Sequence, residues 1–304
     1  MTAREIKDIA ASVRQRLLNK AKAENSQFEE LLRYYAMERF LYRLSKSQHS
    51  DRFVLKGALM LAVWEAPTTR PTSDIDVLGQ IENDIGGLET VFREVCSQPV
   101  EPDGFVFDSE AVKGETITEQ AAYPGVRIGM IGRLGQAKAV FHIDVGFGDL
   151  VIPSPERTKY PVVLDMPPPV LLTYSRESAI AEKVEAMARF GPVNSRMKDF
   201  YDVWLLSKTT SFDGNVLSNA LLGTFETRRT SVPNNLSEFL QTIAAEAGKQ
   251  EQWRAFLERS AITNTHLKFG DVVDDLDTFL ESPLRALLSG ELFIGNWDAG
   301  GPWE

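Results

Sequence analysis

Asp74 and Asp76 stand two residues apart in a short apolar run, Asp74-Ile75-Asp76-Val77-Leu78-Gly79. In a strand, alternate side chains share a face, so the two carboxylates project together while Ile75 and Val77 enter the core. Like charges held this close repel, and a cation between them relieves the repulsion. An oxygen-only ligand set suits Mg²⁺ or Mn²⁺. Upstream, Gly57 and Ala58 form a turn between an apolar strand (Phe53, Val54, Leu55) and a short apolar helix, Leu59 to Trp64. Glycine lets the backbone approach a ligand closely, and amides that open a helix attract anions. A phosphate-binding turn followed by paired carboxylates points to a metal nucleoside triphosphate site.

A third acid fits the same chemistry. The run from Ala137 to Gly146 alternates Val140, His142 and Asp144 against Phe141, Ile143 and Val145. A carboxylate in a half-buried strand is costly without a partner, and the cation held by Asp74 and Asp76 would be one, making Asp144 the third metal ligand. His142 shares that face and is read as a packing or hydrogen-bonding residue. A second D-x-D, Asp275-Leu276-Asp277, serves as a control. It lies in a helical stretch, where residues two apart point to different faces, and it reads as solvated surface. Lys56 and Arg70 flank the central stretch; each is placed to contact phosphate, or Lys56 simply ends its strand in solvent. Thr72 or Ser73 is placed to hydrogen-bond a carboxylate ligand.

The elements that must position these groups follow from periodicity. Residues 3–23 and 27–47 show helical spacing, and the second helix leads into the strand before Gly57. Asp84 opens a helix to Ser97. Phe105–Phe107, Ala111–Ile117, Gly125–Leu134 and Ala137–Gly146 read as strands of a meander, the last two joined by a tight turn at Gly135-Gln136. The proline-rich segment 151–173 marks the lobe boundary. Helices are predicted over Ser175–Phe190, Arg196–Lys208, Gly214–Thr227, Leu236–Gly248, Glu251–Arg259 and Asp271–Leu288, and a loosely ordered tail after Gly290. The expected organisation is N-terminal helices (1–50) packed on a catalytic lobe (51–165), a helical lobe (170–290) and the tail (291–304).

Composition bounds the alternatives. The 304 residues carry a net charge of −10, which argues against a general nucleic-acid-coating surface. Residues 1–50 nevertheless hold ten Lys/Arg against six Asp/Glu, a local +4 that leaves −14 for the rest. That basic region reads either as a solvated helix face or as a means of steering RNA or a nucleotide. The single cysteine, Cys96, excludes an internal disulfide and reads as a small packed hydrophobe. No run is long enough to span a membrane and the charged N-terminus is no signal peptide, so a cytoplasmic location is expected.

Gly57-Ala58, a spacer and Asp74-x-Asp76 resemble the signature of polymerase β-like nucleotidyltransferases. FVLKGALMLAVW, RPTSDIDV, AIAEKVEAMARF and SRMKDFYDVWLL are similar to the AbiEii/AbiGii group within that superfamily. One departure is Ala58, where these enzymes usually carry serine or a second glycine, so one possible phosphate contact is lost. The resemblance implies an α/β (α+β) fold: a nucleotidyltransferase lobe with a mixed, largely antiparallel sheet, and an all-helical C-terminal lobe. It implies an Mg²⁺- or Mn²⁺-dependent enzyme acting on a nucleoside triphosphate, a toxin of bacterial toxin–antitoxin or phage-defence systems, a cognate antitoxin, and transfer RNA as acceptor. The family motif places a lysine at Lys183, which would stabilise charge on the triphosphate; the bland alternative is an intrahelical ion-pair face with Glu182 and Arg189. Arg196 and Asp199 fall in the group's basic–acidic motif. Asp199 would orient Lys183 or contact the nucleotide, or else cap its helix while Asp202 pairs with an arginine. Competing activities are transfer to a small molecule of the aminoglycoside type or to a protein, a D-x-D glycosyltransferase, and a catalytically silent nucleotide-binding protein.

Overall fold

The computed structural model describes residues 8–66, 71–117, 124–260, 262, 266–291 and 293–304. The chain forms two compact units. Met1–Val63, Thr72–Gly148 and Glu156–Thr173 make the first, and Trp64–Pro71, Asp149–Pro155 and Tyr174–Glu304 the second.

The first unit is a sheet backed by helices. Its elements in chain order are α1 (Ile9–Glu24), α2 (Phe28–Lys46), β1 (Phe53–Lys56), α3 (Leu59–Val63), β2 (Asp74–Gly79), α4 (Ile85–Cys96), β3 (Phe105–Phe107), β4 (Lys113–Ile117), β5 (Gly125–Leu134), β6 (Ala137–Phe147), β7 (Glu156–Lys159) and β8 (Val170–Thr173). The strand order is β3-β5-β6-β2-β1-β8-β7, with β4 also pairing β5. Among the described residues only β2–β6 and β1–β8 pair in parallel, so the sheet is mixed and largely antiparallel, as expected. The cap at Asp84 is present, its carboxylate accepting from Gly87 N. The core joins α2 and α4 to the sheet through Phe40, which meets Phe92, Phe107 and Phe141, all buried. Cys96 is buried as expected, and desolvation pushes its thiol up to about 12, which makes it unreactive.

The proline-rich segment holds more structure than its composition suggested. It supplies β7 and β8, and β8 extends the sheet beyond β1. The loop between them is tied to α2 by two buried neighbours. Glu38 accepts from the Val163 amide, and Arg39 donates to the Pro167 carbonyl while pairing with Glu38. Arg43, one turn on, grips both oxygens of Asp103. Arg39 and Arg43 therefore leave the set of basic N-terminal residues that could meet RNA. Burial pushes the Glu38 carboxyl up to about 7, against the pull of Arg39. The folded protein holds this proton more tightly than the unfolded chain, so stability is fully present below about pH 4.5 and is lost as pH rises through about 7. The loss is on the order of 3 kcal/mol. Glu38→Gln cannot titrate, and its thermal unfolding is expected to lack that fall between pH 5 and 7.5; parallel slopes for both proteins would refute the assignment.

The second unit is helical: α5 (Arg176–Phe190), α6 (Met197–Thr209), α7 (Gly214–Arg228), α8 (Leu236–Ala245), α9 (Lys249–Arg259) and α10 (Phe269–Ser289), with a two-stranded ribbon of β9 (Phe212–Asp213) and β10 (Asn296–Trp297). Ser175 and Asp213 cap α5 and α7 by accepting from backbone amides. The tail is ordered, contrary to expectation. Trp297 is buried and donates to the Ser207 carbonyl, Trp303 donates to the Phe279 carbonyl, and both rings pack on Phe279. Two large aromatics outweigh the glycines between them. The control acids of α10 also differ from expectation: they face different ways but are not merely solvated. Asp275 accepts from Trp204 and pairs with Lys208, and Asp277 accepts from Ser237.

Candidate functional site

The acids predicted from spacing meet on the first unit's sheet. β2 and β6 run parallel in a register that sets Asp74 opposite His142 and Asp76 opposite Asp144. Ile75 and Val77 are buried between them, as alternation requires. Asp74 and Asp144 are partly exposed, with side chains 31% and 21% accessible. His142 Nδ1 lies 3.2 Å from Asp74 Oδ1, the hydrogen-bonding role expected of it. Ser73 Oγ donates weakly to Asp74 Oδ2 at 3.4 Å, while Thr72 donates to the Asp74 main-chain carbonyl.

Gly57 sits behind Asp76. Its φ of +73° is left-handed, and a Cβ built there would lie 2.0 Å from Asp76 Oδ2. The turn and the acid are thus packed backbone to carboxylate. Lys56 pairs in register with Asp76 across β1 and β2. Ala58 is buried, and its carbonyl accepts from Leu61 N. The helix after the turn, α3, is five residues long. A helix that short carries little macrodipole, so anion binding there would rest on the turn amides alone. Arg70 lies outside the described residues.

Arg127 was missed by sequence reasoning. It faces Asp144 across β5 and β6, and its Nε and Nη2 reach the two carboxylate oxygens at 2.8 and 2.7 Å. The signal was present: seven residues back from Leu134 and seven on from Ala137, the hairpin register pairs these two. The carboxylate holds the Arg127 guanidinium well above its usual range. Asp144 therefore has a protein partner. Among the described residues, no group of three or more His, Cys, Asp or Glu is gathered closely enough to hold a metal ion. The donors that face one another in register are nonetheless carboxylates, the chemistry a hard divalent cation takes.

The other predicted residues belong to the second unit. Lys183 Nζ lies 3.2 Å from Asp199 and 3.0 Å from Asp202, both buried on α6, and Arg196 Nε lies 3.0 Å from Asp199. The Lys183 pairs thus join α5 to α6, whereas the Arg196–Asp199 pair is local to the start of α6 and Arg189 pairs with Glu185 one turn back along α5. Asp199 does not cap α6: Arg196 occupies the cap position without a side-chain bond. Asp202 thus pairs with Lys183, whose four-carbon stem spans the gap between packed helices, and Asp199 is shared by Lys183 and Arg196. A further buried cluster surrounds Arg228, which pairs with Asp149, Glu182 and Glu185.

A mixed, largely antiparallel sheet bearing facing carboxylates on β2 and β6, within one chain with a predominantly helical unit, is a polymerase β-like nucleotidyltransferase fold. Residues 39–282 match the family of the nucleotidyl transferase AbiEii toxin, a type IV toxin–antitoxin system, and the chain belongs to that family. Two solved structures are similar over most of their length. One is a candidate nucleotidyltransferase from H. pylori (13% identity, TM-score 0.48, 87% of this chain and 99% of that one). The other is JHP933 from Helicobacter pylori (13% identity, TM-score 0.46, 90% and 94%). No curated protein matches the chain. Among the described residues, no helix is long and apolar enough to cross a membrane.

Proposed function

We propose that this protein is a divalent-cation-dependent nucleotidyltransferase that moves a nucleotide from a nucleoside triphosphate to a hydroxyl of transfer RNA. The observation that carries the reading is the register of β2 on β6, with Asp76 facing Asp144 and Asp74 one pleat away, together with Gly57 backed against Asp76. Asp74, Asp76 and Asp144 would hold the cation. When bound, Mg²⁺ or Mn²⁺ supplies charge neutralisation on the triphosphate and a lowered pKa for the attacking hydroxyl. Asp144 is suited to accept the proton from that hydroxyl, and Gly57 leaves the turn amides open toward phosphate. Lys56, Ser73, Arg70 and Arg196 are proposed to support the nucleotide. Lys183, held by Asp199, is assigned on the family motif to the charge of the departing pyrophosphate. A cognate antitoxin as partner is proposed on family membership.

The acceptor is tested by label transfer. With Mg²⁺ and each α-³²P-labelled triphosphate, label is expected on bulk transfer RNA with the intact chain and a loss of at least about 10³-fold in Asp74→Ala and Asp144→Ala. Label on another protein or a small molecule would move the assignment to that acceptor. The Arg127–Asp144 pair favours one competitor, a silent nucleotide-binding protein, and nucleotide binding without transfer to any acceptor would establish it.

A further inference from the structure

Five strands place charged residues in a single row across the first unit's sheet. Glu115 on β4 faces Arg127 on β5, Arg127 faces Asp144 on β6, Asp144 faces Asp76 on β2, and Asp76 faces Lys56 on β1. Residues directly opposite in a sheet share a face, and like charges so placed repel. The row reads minus, plus, minus, minus, plus, so its one unfavourable step is Asp76 against Asp144. Arg127 offsets that step by gripping Asp144 through both oxygens in a planar fork. A guanidinium keeps its charge throughout the working pH range, so only a competing cation or a movement of the side chain loosens the grip.

We propose that Arg127 is the resident counter-ion of the acid row, that it competes with the divalent cation for Asp144, and that Glu115 receives the guanidinium when it is displaced. The inference rests on the metal reading given above and assigns Arg127 as a positioning residue within it. A dication that binds Asp144 draws on an oxygen already accepting from the fork and also sits beside a positive charge, so the two cations compete. Arg127 side chain is 37% exposed, which leaves it room to move. Glu115 is an exposed partner in register on the opposite side. The exchange is between one carboxylate and another, so the guanidinium is paired in both positions.

Mn²⁺ binding to the full chain, read from the free-ion paramagnetic resonance signal, and melting temperature with and without Mn²⁺ test the proposal. Arg127→Gln is expected to bind Mn²⁺ at least about tenfold more tightly than the native chain. It should melt lower without metal and rise further with it. Glu115→Gln, which removes the landing place, is expected to bind about threefold more weakly. A residue that only braces the sheet would weaken Mn²⁺ binding when lost, so equal or weaker binding by Arg127→Gln overturns the competition. Should that variant fail to fold, the exposed Glu115 carries the test, and unchanged or tighter binding in Glu115→Gln overturns it. If the native chain binds no better than Asp74→Asn, the metal reading itself fails and the competition falls with it. That outcome is distinct from tight native binding that ignores Arg127.

Discussion

Gly57→Ala is expected to lower nucleotide transfer by at least about 10²-fold, because the added methyl takes space that Asp76 occupies. The built Cβ lies 2.0, 2.6 and 2.7 Å from Asp76 Oδ2, Cγ and Cβ, distances at which a neighbour must shift. The obstruction includes the root of the side chain as well as its tip, so rotation of the carboxylate alone does not relieve it. The left-handed φ of +73° adds backbone strain of about 1–3 kcal/mol for any residue with a Cβ. Two measurements separate the effects. Melting temperature reads the strain, while transfer measured well below the melting temperature reads the displaced acid. A Gly57→Ala protein that melts lower yet transfers at the native rate would show that Asp76 is not held by this turn.

Arg228→Met is expected to produce the largest loss of stability, about 3–5 kcal/mol, because it leaves buried acids without their cation. Arg228 lies 2.8 Å from Asp149, 2.8 Å from Glu185 and 3.4 Å from Glu182. Glu185 is fully buried and also accepts from Thr230, and Glu182 accepts from the buried Tyr174 hydroxyl. Methionine fills much of the volume and removes all of the charge, so the deficit measured is electrostatic. For a unit of this size the shift corresponds to roughly 10 °C in melting temperature. Arg285, paired with Glu281 on the exposed face of α10, is the contrast. Arg285→Met should change stability by about 0.5 kcal/mol or less. Similar losses in the two variants would mean that the buried cluster is solvated and contributes no more than a surface pair.

Much of the first unit was legible because its signals are local. The alternation of Asp74-Ile75-Asp76-Val77 placed two acids on one face with Ile75 and Val77 buried beneath. The start of α4 was readable from the residue that caps it, Asp84. The β5–β6 hairpin was readable from Gly135, whose positive φ suits a tight turn. The strands β7 and β8 were not, since they lie among prolines and β8 gains its place by parallel pairing with β1, more than a hundred residues away. The tail was misread because glycine content signals freedom only where nothing apolar anchors the chain, and Trp297 and Trp303 anchor it.

The sequence by itself determined which carboxylates share a face, where glycine must stand and where the helices and the first unit's strands other than β7 and β8 fall. Those properties depend on neighbours two to four residues away, so periodicity and capping are sufficient to read them. Only the tertiary structure decided which charge answers which. Asp144 meets Arg127, Lys183 meets Asp199 and Asp202, and Arg228 meets Asp149. Such pairing depends on which strands and helices become neighbours, and a charge on an isolated element has no preferred partner until burial removes water as the alternative.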